Sequence, residues 1–359
     1  RLFDAVERGA KSVPDAAVER MAALGPLHLA LIDAGGLSLS AARLGAAPAQ
    51  VLVSLAGSDA LALEMRTVAA ERAAAIGALP AHVLGDLYGR FEFADDQLTQ
   101  AASLEGERTA AAMSPARRRA MLYQALQGET AAAVQAELMR QLLLDGDARL
   151  APGMFLAMAE LLAPNLAALP VQPDFAWFAE TAGRALYVAD RLEAAGAWLR
   201  MVQQEAIINP RAAAAVTALW PYARLSGAEE VPANGGLGVW RQAQDAAGAE
   251  SLAAQQSLLR AALDALGDSP DRSWVEIALD APGELRPAPP TALLYALSEA
   301  GEAGRRGETV LLSLLVLGDT EPGRSHPAAF GMTLEALVQA GLEDAARRLA
   351  VEIAIYNGI

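Results

Sequence analysis

The chain has 359 residues, no cysteine and a formal net charge of −15, from 28 basic and 43 acidic side chains. Without cysteine there are no disulfides, thiolate metal sites or cysteine nucleophiles, and the acidic surplus would repel a phosphate backbone, so nucleic acid is not expected as a partner. Apolar residues make up 53% of the chain and aromatics only 5%; the apolar set is mainly Ala and Leu, which favours helices over sheets and lets helices approach closely.

In chain order, His28 lies in the apolar run from Leu27 to Ile32 and reads as a packed or capping histidine. The longest stretch without charge, Leu44 to Ser58, has 15 residues and is interrupted by Pro48. That is short of the ~20 apolar residues that span a bilayer, so no integral membrane segment is expected. Gly and Pro punctuation, from Gly25-Pro26 and Pro48 through Leu79-Pro80, Pro152-Gly153, Pro164 to Pro173, Pro221, Pro282 to Pro290 and Pro322-Gly323, cuts the chain into pieces one or two helices long.

Ser114 before Pro115 predicts a helix start, with a capping hydroxyl followed by proline where its missing amide costs nothing; Ser269-Pro270-Asp271 repeats the device. Arg117, Arg118 and Arg119, with Arg108 upstream, form the one basic cluster. Cations in a first turn oppose the helix dipole, so the run is read either as a solvated turn or as a site for an anion or acidic peptide. Beyond Thr130, Val134, Leu138 and Leu142 fall on one helical stripe, and beyond Ser251, Leu252, Leu258, Leu259, Ala262, Leu263 and Leu266 form another. Asn234 to Gly238 reads as an inter-helix loop. Val310 to Leu317 is the most strand-like run, and a helix led by Gly304 to Glu308 is its expected fate. No segment alternates as a sheet would. A soft boundary near residue 150 is expected between an N-terminal helical region, 1–150, and a repeat region, 151–359.

An internal match supports the repeat. Leu192-Glu193-Ala194-Ala195 followed by Leu199 has the spacing of Leu342-Glu343-Asp344-Ala345 followed by Leu349, behind the turns Ala189-Asp190-Arg191 and Gln339-Ala340-Gly341. This resembles the turn and second helix of a tetratricopeptide repeat, with Gly183 and Leu186 at the small and large first-helix positions. Ala179 stands at the family's Trp position and its terminal proline is displaced to Pro210. The resemblance implies an all-α solenoid, a right-handed superhelix of antiparallel helix pairs whose concave groove binds a protein or peptide. In texture the chain also resembles the Ala-rich accessory superhelix of soluble lytic transglycosylases, which makes an accessory helical domain of a cell-envelope enzyme system the alternative.

All five tryptophans, Trp177, Trp198, Trp220, Trp240 and Trp274, fall in one part of the chain together with Tyr187 and Tyr222. They are read either as a partner-binding surface or as fillers between Ala-rich helices. Catalytic patterns are missing. His28, His82 and His326 are isolated, so no metal is expected; Lys11 is the sole lysine and no Gly-x-Ser-x-Gly elbow occurs. Carboxylate pairs such as Asp95-Asp96, Glu105 with Glu107, Asp145 with Asp147 and Glu229-Glu230 are inevitable among so many acids. The expectation is a non-catalytic scaffold without a cofactor. Its Arg and Ala bias points to a bacterium. The chain opens at Arg1, and with the absence of Cys this favours the periplasm over the cytoplasm.

Overall fold

The computed structural model describes residues 47–59, 61–103, 106, 108, 112–145, 148–227, 236–246, 252–268, 288–318 and 326–359. Trp274, His28, Asp147, Glu105, Glu107, Glu229, Glu230 and the Ser269-Pro270-Asp271 start lie outside them. The described residues are all-α: they form sixteen α-helices, and their one extended feature is the two-residue ladder of β1 (Leu144–Asp145) with β2 (Ala148–Arg149). The chain divides into two compact units between Pro170 and Val171, beyond the boundary expected near residue 150.

The first unit contains α1 (Ala49–Gly57), α2 (Leu63–Ala75), α3 (His82–Tyr88), α4 (Asp95–Thr99), α5 (Pro115–Gly128), α6 (Ala132–Leu143) and α7 (Pro152–Ala168). Helix α5 starts as its sequence predicts: the Ser114 hydroxyl accepts the Arg117 amide at 3.4 Å and Pro115 opens the helix. Pro164 does not end α7, which runs through it. Proline deprives the carbonyl four residues earlier of its donor, and that residue, Glu160, is exposed, so water can meet the freed oxygen. Helix α7 packs on α2, α3 and α6, which is why it belongs to this unit. Ala69, Ala70 and Ala73 of α2 are fully buried and allow the close approach.

The second unit contains α8 (Ala179–Val188), α9 (Leu192–Glu205), α10 (Pro210–Leu225), α11 (Gly236–Ala246), α12 (Leu252–Ala265), α13 (Thr291–Glu302), α14 (Arg306–Leu317), α15 (Pro327–Gln339) and α16 (Glu343–Tyr356). Pro221 likewise lies inside a helix, α10. Three hairpins, α8–α9, α13–α14 and α15–α16, turn in the same way. One residue takes the left-handed conformation in each: Asp190 (φ 57°), Gly304 (φ 66°) and Gly341 (φ 73°). The next amide, of Arg191, Arg305 or Leu342, donates back to the carbonyl of Leu186, Ala300 or Leu337 at 2.9 Å, a Schellman closure of the first helix. The start of the second helix is thereby fixed, so equivalent positions turn inward: Ala195, Thr309 and Ala346, then Leu199, Ser313 and Ala350, then Val202, Val316 and Ile353, all buried. The structural partner of Ala195 is therefore Ala346, one residue beyond the partner that the sequence match suggested, because the left-handed residue and not the Leu-Glu pair sets the frame.

Gly183 of α8 faces α10: a Cβ there would stand 2.7 Å from a Leu219 methyl. Gly301 of α13 has the same use against α15, where a Cβ would lie 2.8 Å from the Ala336 backbone. The pairs do not stack simply in chain order. Helix α15 packs on α12, α13 and α14, while α16 returns to α8 and α10. At the end of α16, Arg184 donates to the Ile359 carbonyl at 2.7 Å, the Tyr222 hydroxyl donates to the same oxygen, and Gln255 donates to the Asn357 carbonyl at 2.8 Å. A buried guanidinium at the negative end of a helix is electrostatically favourable.

Candidate interaction surface

Most of the aromatic set expected to meet a partner forms core. Trp198, Trp240 and Tyr222 are completely buried, and Tyr187 and Trp220 are nearly so. Trp198 meets the edge of the Phe178 ring at a centroid distance of 6.0 Å. Trp220 lies so close to the start of α11 that a Cβ on Gly236 would fall 2.0 Å from its Nε1. Gly236 and Gly238 thus begin a helix instead of belonging to a loop, and Gly236 makes room for the indole. These rings fill space that Ala side chains leave open, so they cannot form an exposed surface. Trp177, 38% exposed and tilted against Phe178 at 5.5 Å, is the one member that reaches solvent among the described residues.

The arginine cluster does not converge either, because successive helical residues diverge by about 100°. Arg117 donates to the Glu92 carbonyl at 3.1 Å and lies over the Phe93 ring at 4.9 Å. Arg118 is half-buried and Arg108 exposed. Arg119 makes a bidentate pair with Glu71, Nε to Oε1 at 2.8 Å and Nη2 to Oε2 at 2.6 Å, and Tyr88 donates its hydroxyl to the same Oε1 at 2.7 Å. An anion would have to displace a buried carboxylate to reach Arg119. Burial alone would lower the Arg119 pKa, but the hydrogen bonds and charge of Glu71 outweigh it and raise it. Arg119 thus ties α5 to α2 and α3, which gives this first-turn cation a buried carboxylate as its partner.

Tyr88 carries a prediction. Burial, and next the Glu71 charge, push its pKa well above the usual tyrosine value. A raised folded-state pKa contributes stability that is complete below the unfolded value of about 10 and is lost as pH rises above it. The first unit should therefore lose stability steeply above about pH 10, and Tyr88→Phe should flatten that slope in urea titrations between pH 8 and 11. An identical slope in the variant would exclude ionisation of Tyr88 as its source.

An open cleft of about 500 Å3 between α12, α15 and α16 has Asp264, Glu335 and Glu343 on its wall. Asp264 accepts from Arg260 at 3.0 Å and Glu343 from Arg347 at 2.9 Å. His326 caps α15, its Nδ1 accepting the Ala328 amide at 3.2 Å. Among the described residues no three His, Asp or Glu side chains gather as metal ligands, and no helix is long and apolar enough to cross a membrane.

What stands out is the α13–α14 hairpin. The frame set by Gly304 turns Thr309 and Ser313 inward, where their hydroxyls donate to the Arg305 and Thr309 carbonyls at 3.0 and 2.7 Å. The larger apolar residues point outward in consequence: Val310, Leu311, Leu314 and Leu315 are 42–66% exposed and Tyr295 of α13 is 72% exposed. Counting outward from Gly304, Tyr295 is level with Ser313, so the ring and the leucines share one end of the hairpin. Inside, Thr309 and Ser313 share the buried face of α14 with Val316, and Leu312 packs beside them, while four large apolar side chains of the same helix stay outside. The apolar run Val310 to Leu317 was visible in the sequence; its orientation was hidden because Thr309 and Ser313 do not look like core residues. Compared with known proteins, the chain matches no family model, no curated protein and no solved structure.

Proposed function

We propose that this chain is a non-catalytic scaffold that holds a protein partner on the outward face of the α13–α14 hairpin. The observation that carries this reading is the row of exposed Val310, Leu311, Leu314 and Leu315 on α14, with exposed Tyr295 on α13 at the same end of the hairpin. Isolated surface apolar residues need no explanation, but a contiguous patch on a folded helix marks an interaction site. The hairpins support a tetratricopeptide-like reading through their common turn and their small inward residues at Ala195, Thr309 and Ala346.

The reading is tested by replacing Leu311 and Leu315 with Glu together. Both side chains face solvent, so stability should change by no more than about 0.5 kcal/mol. Affinity capture from the source organism's extract should then lose the partner that the unsubstituted chain retains. Recovery of the same partner by the folded variant would remove this face from consideration.

A further inference from the structure

We infer that the occupant of the α13–α14 face is an amphipathic helix of another protein with basic residues flanking its apolar stripe, and not a second copy of this chain. The inference rests on the docking reading above and adds the chemistry of the partner. Its first support is shape. The α13–α14 hairpin packs inward on α15, and its outward leucines fall at Leu311, Leu314 and Leu315, the spacing by which one helix lies along another.

The second support is charge. At the turn end of the same hairpin, Glu299 and Glu302 continue the stripe begun by Tyr295, and Glu308 continues that of Leu311 and Leu315. The Glu299 and Glu308 side chains are 78% and 50% exposed, and Glu302 is exposed. Arg305 answers them, at 2.6 Å from Glu308 and 3.8 Å from Glu299, whereas Arg306 is directed at α15, donating to the Ala340 carbonyl at 3.1 Å. Among the described residues, three carboxylates thus share the outward rim with the Arg305 guanidinium. Residues 171–359 hold 24 acidic and 14 basic side chains, and the whole chain carries −15. In a two-fold dimer through this face two chains of the same acidic surplus would be brought together, like charge toward like. A helix with Lys or Arg beside its leucines meets both the apolar end and the acidic end.

The test uses two synthetic helical peptides with the same leucine stripe, one with Lys and one with Glu at the remaining positions. Each is titrated by fluorescence anisotropy against the full chain and against a Leu311→Gln/Leu315→Gln variant, with sedimentation velocity on both proteins. The expected result is a monomeric chain that binds the Lys peptide at least about tenfold more tightly than its twin and loses about tenfold in the variant. Equal affinity for the twins would overturn the basic partner and leave the docking face standing. Binding that ignores the glutamine substitutions, or no binding of either peptide, would overturn both. A dimer abolished by those substitutions would make a second copy the occupant.

Discussion

Trp198→Ala is expected to destabilise the second unit by about 3–5 kcal/mol, the range for deleting a large buried aromatic. The indole is fully buried in α9 and meets the Phe178 ring edge-on. Deleting it removes its transfer free energy and opens a cavity that the neighbouring Ala residues are too short to fill. For a unit of this size each kcal/mol moves the midpoint by about 2–4 °C, so Tm should fall by roughly 10 °C in thermal unfolding followed by circular dichroism. Trp177→Ala serves as the contrast: its partly exposed ring should cost about 1 kcal/mol. If both variants unfold at the same temperature, the separation of core tryptophans from the surface one is wrong. Loss of partner capture in a folded Trp198 variant would also revive the aromatic surface that the burial argues against.

The second large effect belongs to the first unit. Glu71→Leu leaves the Arg119 guanidinium buried without its carboxylate and the Tyr88 hydroxyl without its acceptor, and breaking such a pair costs about 3–5 kcal/mol. Replacing both charges, with Tyr88→Phe added to remove the orphaned hydroxyl, should recover most of that loss, because an apolar set of similar volume avoids the desolvation of the ions. A double-mutant cycle in urea should give a coupling between Glu71 and Arg119 of about 2 kcal/mol or more. Additive effects would mean that the pair is an incidental contact of two solvated groups.

The parts of this architecture legible in the sequence are those governed by local chemistry. Ser114-Pro115 specifies a helix start by itself, and the stripe of Leu138 and Leu142 specifies which side of α6 is buried. Composition points to helices because Ala and Leu dominate. The match between the regions after Leu192 and Leu342 located two of the three hairpins, but it was displaced by one residue, since a side-chain pattern does not reveal which residue adopts the left-handed turn. The third hairpin stayed hidden because Thr309 and Ser313 occupy positions held by Ala and Leu in the first.

Tertiary context decided the rest. Clustering of Trp and Tyr in sequence cannot separate a surface from a core, and in Ala-rich packing a large ring is needed to fill volume. Three consecutive arginines look like one patch in a linear text yet point to different sides of α5, where Glu71 claims the last of them. The interaction face itself could be found only after the turn at Gly304 had fixed the rotation of α14. A left-handed glycine followed by an inward small residue is the signal that, used for Gly341 and Ala346, would also have found Gly304 and Thr309.

Docking of a partner on the outward face of the α13–α14 hairpin can be followed by photocross-linking in the source organism. A photoreactive phenylalanine analogue is placed at Leu314, and separately at Ile207, an even more exposed apolar position between α9 and α10. A discrete protein adduct is expected from position 314, reduced by Leu311→Glu/Leu315→Glu and not formed from position 207. An adduct from position 207 with none from 314 would contradict docking on this face.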